Sequence, residues 1–213
     1  MNASVDTDLS DALERGADAM GVKLPPEANS RLTQQLALVD KWNAVHNLTA
    51  VRDRASMVTH HVLDSLTLSA FLPLGTTLLD VGSGAGFPGI TLAIARPDLQ
   101  VTVLDSNQKK SAFLQQTIGA LKITNATSVC ARVERWTAPH PFPVIVSRAL
   151  AELQEFVRLS RHLLAPQGRL FAMKGVYPHD EIARLPESVI VDRVEPLIIP
   201  GLDATRHLII LAI

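Results

Sequence analysis

The chain is poor in the features that mark secreted, membrane-spanning and metal-binding proteins. Cys130 is the one cysteine among 213 residues, which excludes an internal disulfide and a zinc site built on thiolates. No apolar run approaches the roughly 18 residues that a membrane span requires, and the acidic start Met1–Asp8 contains no apolar signal core. We therefore expect a cytoplasmic protein with no membrane association and no metal.

Net charge and aromatic residues are also scarce. The chain has 20 basic and 21 acidic residues, so its overall charge does not indicate a nucleic-acid partner. Aromatic residues make up only 4%, which leaves few rings on which a base can stack. A nucleic-acid binder of this composition has to concentrate its basic residues on one face.

The hydrophobic content, at 47%, is enough for a substantial core, and it follows two patterns. Residues 1–74 have helical periodicity, with helices predicted over Asp8–Met20, from Pro25 onward, and over Arg54–Leu72. From Gly75, short apolar runs alternate with helical segments, which predicts a doubly wound α/β sheet with right-handed crossovers. We therefore predict an N-terminal helical cap (1–74) on a mostly parallel sheet domain (75–213), the two forming one compact unit.

The individual elements of the sheet domain follow from the same patterns. Five strands are predicted, at Thr76–Val81, Gln100–Asp105, Ala126–Ala131, Pro141–Ser147 and Arg169–Lys174. The predicted helices between them are Pro88–Arg96, Asn107–Leu121 and Glu152–Leu164. Two further apolar runs, Val189–Ile199 and Arg206–Ile213, have no long helix between them and are predicted to form an antiparallel pair.

A glycine-rich loop follows the first predicted strand and is the most informative stretch of the chain. It contains no Gly-Lys-Ser/Thr, which excludes a phosphate-binding P-loop. A dinucleotide pattern, Gly-x-Gly-x-x-Gly, fits only when started at Gly84, three residues past the strand. The spacing that fits without this displacement is Asp80-x-Gly82-x-Gly84-x-Gly86, which resembles motif I of the class I S-adenosylmethionine (SAM) methyltransferases.

The second strand ends in Asp105, where an acidic residue can accept hydrogen bonds from both ribose hydroxyls. This role suits NAD and SAM equally, so Asp105 indicates a ribose without choosing between the two ligands. Asp105 can also cap the helix that starts near Asn107, and the two roles are compatible. For Asp80 we expect that it orders the loop and contacts the ligand's amino group.

With the flanking residues, the sequence resembles the RsmG family, also called glucose-inhibited division protein B, over roughly residues 30–213. The resemblance rests on several short segments. They are Trp42-Asn43, Asn47-Leu-Thr49, His61-Val-Leu-Asp-Ser-Leu66, Leu79-Asp-Val-Gly-Ser-Gly-Ala-Gly-Phe-Pro-Gly-Ile90, Val103-Leu-Asp-Ser-Asn-Gln-Lys-Lys-Ser-Ala-Phe-Leu114, Ser147-Arg-Ala149 and Met173-Lys-Gly175. Two departures are Lys110, where an arginine is expected, and an apolar C-terminus without the basic tail of many relatives.

The resemblance implies a class I methyltransferase sheet with N-terminal helices. It also implies methyl transfer from SAM to N7 of a guanosine in the 530 loop of 16S ribosomal RNA, leaving S-adenosylhomocysteine. We expect the partner to be 16S RNA or the small ribosomal subunit, with a monomeric enzyme and no obligate protein partner. The resemblance implies a cofactor site in which 131–134 lie along the adenine. The expected cofactor-binding residues are Asp80, Gly82, Ser83, Gly84, Ala85, Gly86, Phe87, Asp105, Ser106, Ala131, Arg132, Val133, Glu134 and Arg148.

Two basic residues at the carboxyl ends of predicted strands are the candidate catalytic residues. Arg148 follows the fourth strand, where its guanidinium is suited to contact guanine O6 or a phosphate; a structural ion pair is the alternative. Lys174 ends the fifth strand and is the second candidate, with a surface lysine as its alternative. His61 and Asp64 are expected to form a buried polar pair between cap and sheet, and Asn47 to order its loop.

Other functions stay open at this point. A guanine N7 lone pair needs no general base, which suits a sequence without an activated nucleophile, and Cys130 inside a predicted strand disfavours a cysteine adduct. The alternatives are a SAM methyltransferase acting on a small molecule or protein, a non-catalytic SAM-binding regulator and an NAD-dependent dehydrogenase. Binding of NAD and SAM compared side by side separates the last from the others.

Overall fold

The structure, a computed structural model, describes residues 3–148 and 151–213 and contains one seven-stranded sheet. The strand order is β3-β2-β1-β4-β5-β7-β6, with β7 antiparallel to both β5 and β6 and the other neighbours parallel. This confirms the predicted doubly wound sheet and its antiparallel C-terminal pair. The strands are β1 (Thr77–Val81), β2 (Gln100–Asp105), β3 (Ala126–Cys130), β4 (Phe142–Arg148), β5 (Leu164–Lys174), β6 (Ile190–Pro196) and β7 (His207–Ala212).

Helices cover both faces of the sheet because the strands carry apolar residues on both sides. In β1, for example, Leu78 belongs to one apolar cluster and Leu79 to another, as expected where successive side chains point to opposite faces. The helices between the strands are α5 (Gly89–Ala95), α6 (Gln108–Ala120), α7 (Leu153–Ser160) and α8 (His179–Ala183). Helix α8 was not predicted, since its five residues are too few to show a periodicity.

The N-terminal part is helical as predicted, with different bounds. Helix α1 is Ala3–Ala19 and α2 is Ala28–His46, so the first begins before Asp8 and the second after Pro25-Pro26. The third segment is not one regular α-helix. It runs from α3 (Arg54–Met57) through a π-helical turn (Val58–Leu63) and α4 (Asp64–Leu66) into a 3-10 turn (Thr67–Ala70). The π-helical turn places His61 and Asp64 at the end of the sheet, and such turns are frequent at functional sites.

The cap and the sheet share one hydrophobic core. Leu32 and Leu36 of α2 and Leu66 of α4 are fully buried in the same cluster as Ile90 and Leu92 of α5. Trp42 also packs on this cluster, edge-on to Phe113 of α6 with ring centroids 5.5 Å apart. The predicted boundary at 74/75 is therefore a change of sequence pattern, and the core continues across it.

In the sheet domain, some observed helix and strand bounds differ from the predicted ones where glycine and proline interrupt the apolar pattern. Helix α7 ends at Ser160, a 3-10 turn covers Arg161–Leu163, and β5 begins at Leu164 rather than at Arg169. Phe142 of β4 pairs with Leu164, and the register then shifts before Val144 pairs with Arg169. Pro166 and Gly168 interrupt the apolar pattern here, so the sequence pattern did not predict this extension of the strand. Within the described part of the chain, no helix is both long and apolar enough to cross a bilayer.

Candidate functional site

The glycine loop, residues 82–87, lies at the carboxyl ends of β1 and β2. Gly82, Gly84 and Gly86 all have positive φ, at 72°, 56° and 85°. L side chains rarely adopt this conformation, so the alternation of glycines is required by the backbone path. The amides of Gly82 and Ser83 both donate to the Leu104 carbonyl of β2, at 2.8 and 3.1 Å, which fixes the loop to the neighbouring strand.

Asp80, at the end of β1, holds the two ends of the loop together. Its Oδ2 accepts hydrogen bonds from the Ser83 hydroxyl at 2.5 Å and from the Gly89 amide at 2.8 Å. The residue is fully buried, and its Oδ1 has no hydrogen-bond partner among residues 3–148 and 151–213. Burial raises the pKa of Asp80 to about 6, against the lowering effect of the two hydrogen bonds. The ordering role predicted for Asp80 is thus seen directly, and its ligand contact stays a prediction.

Asp105, at the end of β2, uses both carboxylate oxygens on the local backbone. Oδ2 accepts from the Gly84 amide at 3.0 Å and Oδ1 from the Asn107 amide at 2.8 Å. The cap of α6 is Asn107 itself, whose side chain accepts from the amides of Lys109 and Lys110. Each Asp105 oxygen keeps acceptor capacity, because a carboxylate oxygen has two lone pairs.

A cavity of about 490 Å³ opens between the ends of β1, β2 and β3. Its volume is within the usual range of small-molecule sites, ~300–1,000 Å³. Seven of the predicted cofactor-binding residues line it: Gly82, Asp105, Ser106, Ala131, Arg132, Val133 and Glu134. Sequence reasoning missed its opposite wall, where α7 contributes Glu155, Arg158 and Leu159. Those residues lie about 50 positions beyond Asp105 and carry no motif.

The other predicted loop residues lie elsewhere in the loop. Ser83, Ala85 and Phe87 are all buried, at 3%, 6% and 3% exposure, and none of them lines the cavity. The hydroxyl of Ser83 is turned inward to Asp80. These side chains therefore support the loop in this structure, and a direct contact with the cofactor stays a prediction for them.

The residues present fit SAM. The cavity has a carboxylate with spare acceptor capacity at the strand end where a ribose is expected, on Asp105. Asp80 adds a buried carboxylate oxygen that has no hydrogen-bond partner in the described part of the chain, of a kind suited to a cationic amino group. No Lys-Ser/Thr pair for a phosphate is present in the loop.

A second cavity, of about 410 Å³, lies at the carboxyl ends of β4 and β5. It is rich in cationic and imidazole side chains, and we call it the basic cavity. Its walls are Val51, His60, His61, Asp64, Arg148, Met173, Lys174, Gly175 and Arg206. Both candidate catalytic residues, Arg148 and Lys174, are therefore brought together here.

Arg148 joins the sheet to the cap. Its Nη1 donates to Asp64 Oδ2 at 3.1 Å and to the His60 carbonyl at 3.0 Å. Asp64 Oδ1 also lies 3.6 Å from Arg206 Nε, so one carboxylate serves two guanidinium groups. Burial raises the pKa of Asp64, and Arg148 opposes that shift. The ion pair we gave as the alternative for Arg148 is present, and Arg148 does not line the cofactor cavity.

His61 is held in one tautomer by its two ring contacts. Nδ1 lies 2.9 Å from the His60 carbonyl and donates to it, so Nε2 accepts from the Thr49 hydroxyl at 2.7 Å. Burial and then the charge of Arg148 lower the pKa of His61 to about 4. His61 and Asp64 are both buried as predicted, with different partners. Asn47, in the left-handed conformation after α2, accepts from Arg52, in line with a role in its loop.

Lys174 is fixed by an ion pair that the sequence did not reveal. Its ammonium donates to Glu181 Oε2 at 2.7 Å, to Glu181 Oε1 at 3.0 Å and to the Ala151 carbonyl at 2.9 Å. Glu181 also accepts from the Leu153 amide at 2.7 Å. The unpredicted helix α8 thus supplies the carboxylate that orients Lys174 at the rim of the basic cavity.

Phe87 packs against two side chains that line the basic cavity. Its ring stacks on His61 at a centroid distance of 4.8 Å, and Arg148 Cζ lies 5.4 Å from the ring centroid. Because Phe87 belongs to the glycine loop, the loop beside the cofactor cavity is in direct contact with two walls of the basic cavity.

Four further observations concern the surroundings of the site. Cys130 lies in a strand as predicted, as the last residue of β3, and its side chain is exposed. Across the described residues, no group of three or more His, Cys, Asp or Glu side chains is placed to hold a metal ion. Ala149, part of the motif after β4, lies outside the described residues, as do Met1 and Asn2.

A larger cavity of about 720 Å³, between α1 and the turn at Pro200-Gly201, touches neither the glycine loop nor Arg148.

Comparison with known proteins identifies the family of this chain. The sequence model of the GidB family, described as rRNA small subunit methyltransferase G, matches residues 28–209. The chain is 51% identical over 197 residues to ribosomal RNA small subunit methyltransferase G of Chromobacterium violaceum, covering 92% of this chain and 94% of that protein. The corresponding protein of Laribacter hongkongensis is 51% identical over 203 residues, covering 94% and 97%.

Solved structures share the fold at low sequence identity. A SAM-dependent methyltransferase from Aquifex aeolicus has a TM-score of 0.54 at 17% identity, covering 73% of this chain and 92% of that one. The family resemblance read from the motifs is confirmed by the sequence matches. The chain therefore belongs to the GidB family, the family of rRNA small subunit methyltransferase G.

Proposed function

We propose that this protein methylates N7 of a guanosine in the 530 loop of 16S ribosomal RNA, with SAM as donor and S-adenosylhomocysteine as product. Methylation of small-subunit rRNA is supported by the names of its relatives. The nucleotide and the atom follow from the family resemblance. We place the reaction in the cytoplasm, on 16S RNA or the small subunit.

One observation carries the proposal: Phe87 of the glycine loop contacts both His61 and Arg148 of the basic cavity. A donor held by the loop and an acceptor held by basic side chains would therefore lie close to each other. Proximity and alignment are the main contributions that a protein can make to a displacement at a methyl carbon.

The cofactor contacts follow from the first cavity. SAM supplies an electrophilic methyl group bonded to a sulfonium sulfur. Asp105 would accept from the ribose hydroxyls while it holds Gly84 and Asn107. Asp80 Oδ1 would accept from the amino group, and residues 131–134 would line the adenine.

The basic cavity suits an acceptor that loses no proton. Two of its three candidate bases are engaged, since His61 Nε2 accepts from Thr49 and Asp64 faces Arg148 and Arg206. Guanine N7 is a lone-pair acceptor and has no proton to remove. We propose that Arg148 contacts guanine O6 or a phosphate, sharing its donors with Asp64, and that Lys174 contributes positive charge at the rim.

The experiment is transfer of labelled methyl from SAM to unmodified 16S RNA, to partial particles and to whole small subunits, followed by mapping of the modified nucleotide. The expected product is N7-methylguanosine at one position of the 530 loop. Label in a small molecule or protein, with none in RNA or subunits, would overturn the proposal. Calorimetry with SAM and NAD is the control, because SAM binding without methyl transfer to any acceptor favours a regulator.

A further inference from the structure

The segment after β5 exposes an aromatic patch beside the basic cavity. Val176 is 79% exposed and Tyr177 is 37% exposed. Tyr177 is the only tyrosine of the sequence. The Tyr177 ring is tilted against His179 at a centroid distance of 4.2 Å and meets His207 edge-on at 5.7 Å. An aromatic ring is thus partly exposed while two neighbouring rings hold it in place, an arrangement without an evident structural need.

This patch is continuous with the wall of the basic cavity. Lys174 and Gly175 line the cavity and directly precede it in the chain. His207 Nδ1 donates to the Gly175 carbonyl at 2.9 Å, which joins β7 to the patch. A Cβ built on Gly175 would be 3.9 Å from Arg206 Nη1, so the Arg206 guanidinium lies against the same turn.

We propose that Tyr177, supported by His179 and His207, is a stacking platform for an unpaired RNA base adjacent to the guanosine in the basic cavity. This inference rests on the proposed function. Proteins that read single-stranded RNA splay the bases and stack them on aromatic side chains, while basic residues hold the backbone. Arg206 and Lys174 line the basic cavity next to the platform, and the connecting phosphate would run along them.

The size of the patch favours a base over a protein partner. A stable protein interface covers about 800 Å² per partner and about 20–30 residues, whereas this patch offers one aromatic ring and one valine. The acidic residues nearby are Asp180 and Glu181, and the charge of Glu181 is balanced by Lys174 at 2.7 Å. The patch therefore presents a ring edged by imidazoles and guanidinium, a combination suited to a nucleotide.

The test compares Tyr177→Ala, Tyr177→Leu and Tyr177→Phe with the native protein. Each is assayed for the KM of the RNA substrate, for its dissociation constant by filter binding of 16S RNA and of small subunits, and for SAM binding by calorimetry. Loss of a stacked base weakens binding by about 5- to 150-fold. We expect that loss for the alanine and leucine variants, a phenylalanine variant close to the native protein, and unchanged SAM binding throughout.

Leu74→Ala is the matched control. Leu74 is 88% exposed, and it precedes β1 at the amino end of that strand, whereas the basic cavity lies at the carboxyl ends of β4 and β5, so its removal should leave RNA binding unchanged. Unaltered RNA binding in Tyr177→Ala overturns the platform, as does native-like binding in Tyr177→Leu, which points to apolar bulk alone. The platform is also overturned if Tyr177→Phe binds RNA as weakly as Tyr177→Ala, because that result assigns the effect to the hydroxyl. A native protein that binds and methylates no RNA refutes the proposed function itself, which separates the two failures.

Discussion

Replacing Asp80 by asparagine should stabilise the ligand-free protein at neutral pH while weakening SAM binding. Asp80 is fully buried, and its Oδ1 has no partner among the described residues. Burial raises the pKa of Asp80 from 3.8 to about 6. The folded state therefore keeps a proton, between about pH 4 and pH 6, that the unfolded state releases.

The sign and size of the pH dependence of stability follow from this difference in pKa. Because the folded-state pKa is the higher one, the free energy of unfolding falls as the pH rises through this window and stays low above it. A difference of about two pKa units corresponds to about 3 kcal/mol. Asparagine has nearly the same shape and no charge to bury, and its oxygen can accept from both Ser83 and Gly89. Its amide hydrogens would take the place of Oδ1, which has no partner among the described residues, and would offset part of the gain. Asp80→Asn should thus exceed the native protein by up to about 3 kcal/mol at pH 7 and lose this advantage near pH 4.

The assay is denaturant unfolding of both proteins, without ligand, across pH 4 to 8. Asp98→Asn is the control of opposite sign, because hydrogen bonding to Arg96 lowers the pKa of Asp98 and its charge stabilises the folded state at neutral pH. A stability difference between Asp80→Asn and the native protein that does not change with pH would refute the reasoning. Calorimetry then measures SAM affinity, which should fall in Asp80→Asn if Oδ1 accepts from the cationic amino group.

The other predictions concern the loop and the two cavities. Asp105→Ala should abolish SAM binding measured by calorimetry, since it removes the expected ribose acceptor; retained affinity would reassign the site. Arg148→Ala should keep SAM binding but lose methyl transfer, and it should cost about 3 kcal/mol or more of unfolding free energy because the carboxylate of Asp64 stays buried. Gly86→Ala should lower the melting temperature, because φ is 85° and its Cβ would lie 2.8 Å from Ile90; an unchanged value would contradict this.

Local sequence patterns predicted the strands, the carboxylates at their ends and the glycine loop of the site. Strand β2 has the predicted bounds, and Asp80 and Asp105 stand at strand ends because apolar runs stop there. The glycine spacing was readable because Gly82, Gly84 and Gly86 need positive φ, which is a local property of the backbone.

Contacts between distant parts of the chain were not predictable in this way. Asp64 and Arg148 are 84 positions apart, and nothing in either segment identifies the other as its partner. Glu181 lies on a five-residue helix with no periodic signal, yet it orients Lys174. The sequence placed the basic residues at the correct edge of the sheet, and only the fold shows which carboxylates hold them.

The apolar cluster shared by α2, α4 and α5 bears on how this chain comes apart. Leu32 and Leu66 from the cap and Ile90 from the sheet domain are fully buried in this one cluster. Such a cluster makes unfolding cooperative, since neither part retains a complete apolar interior without the other. We therefore expect the N-terminal helices to unfold together with the sheet, because a fragment beginning at residue 75 would expose the apolar side chains that pack against them.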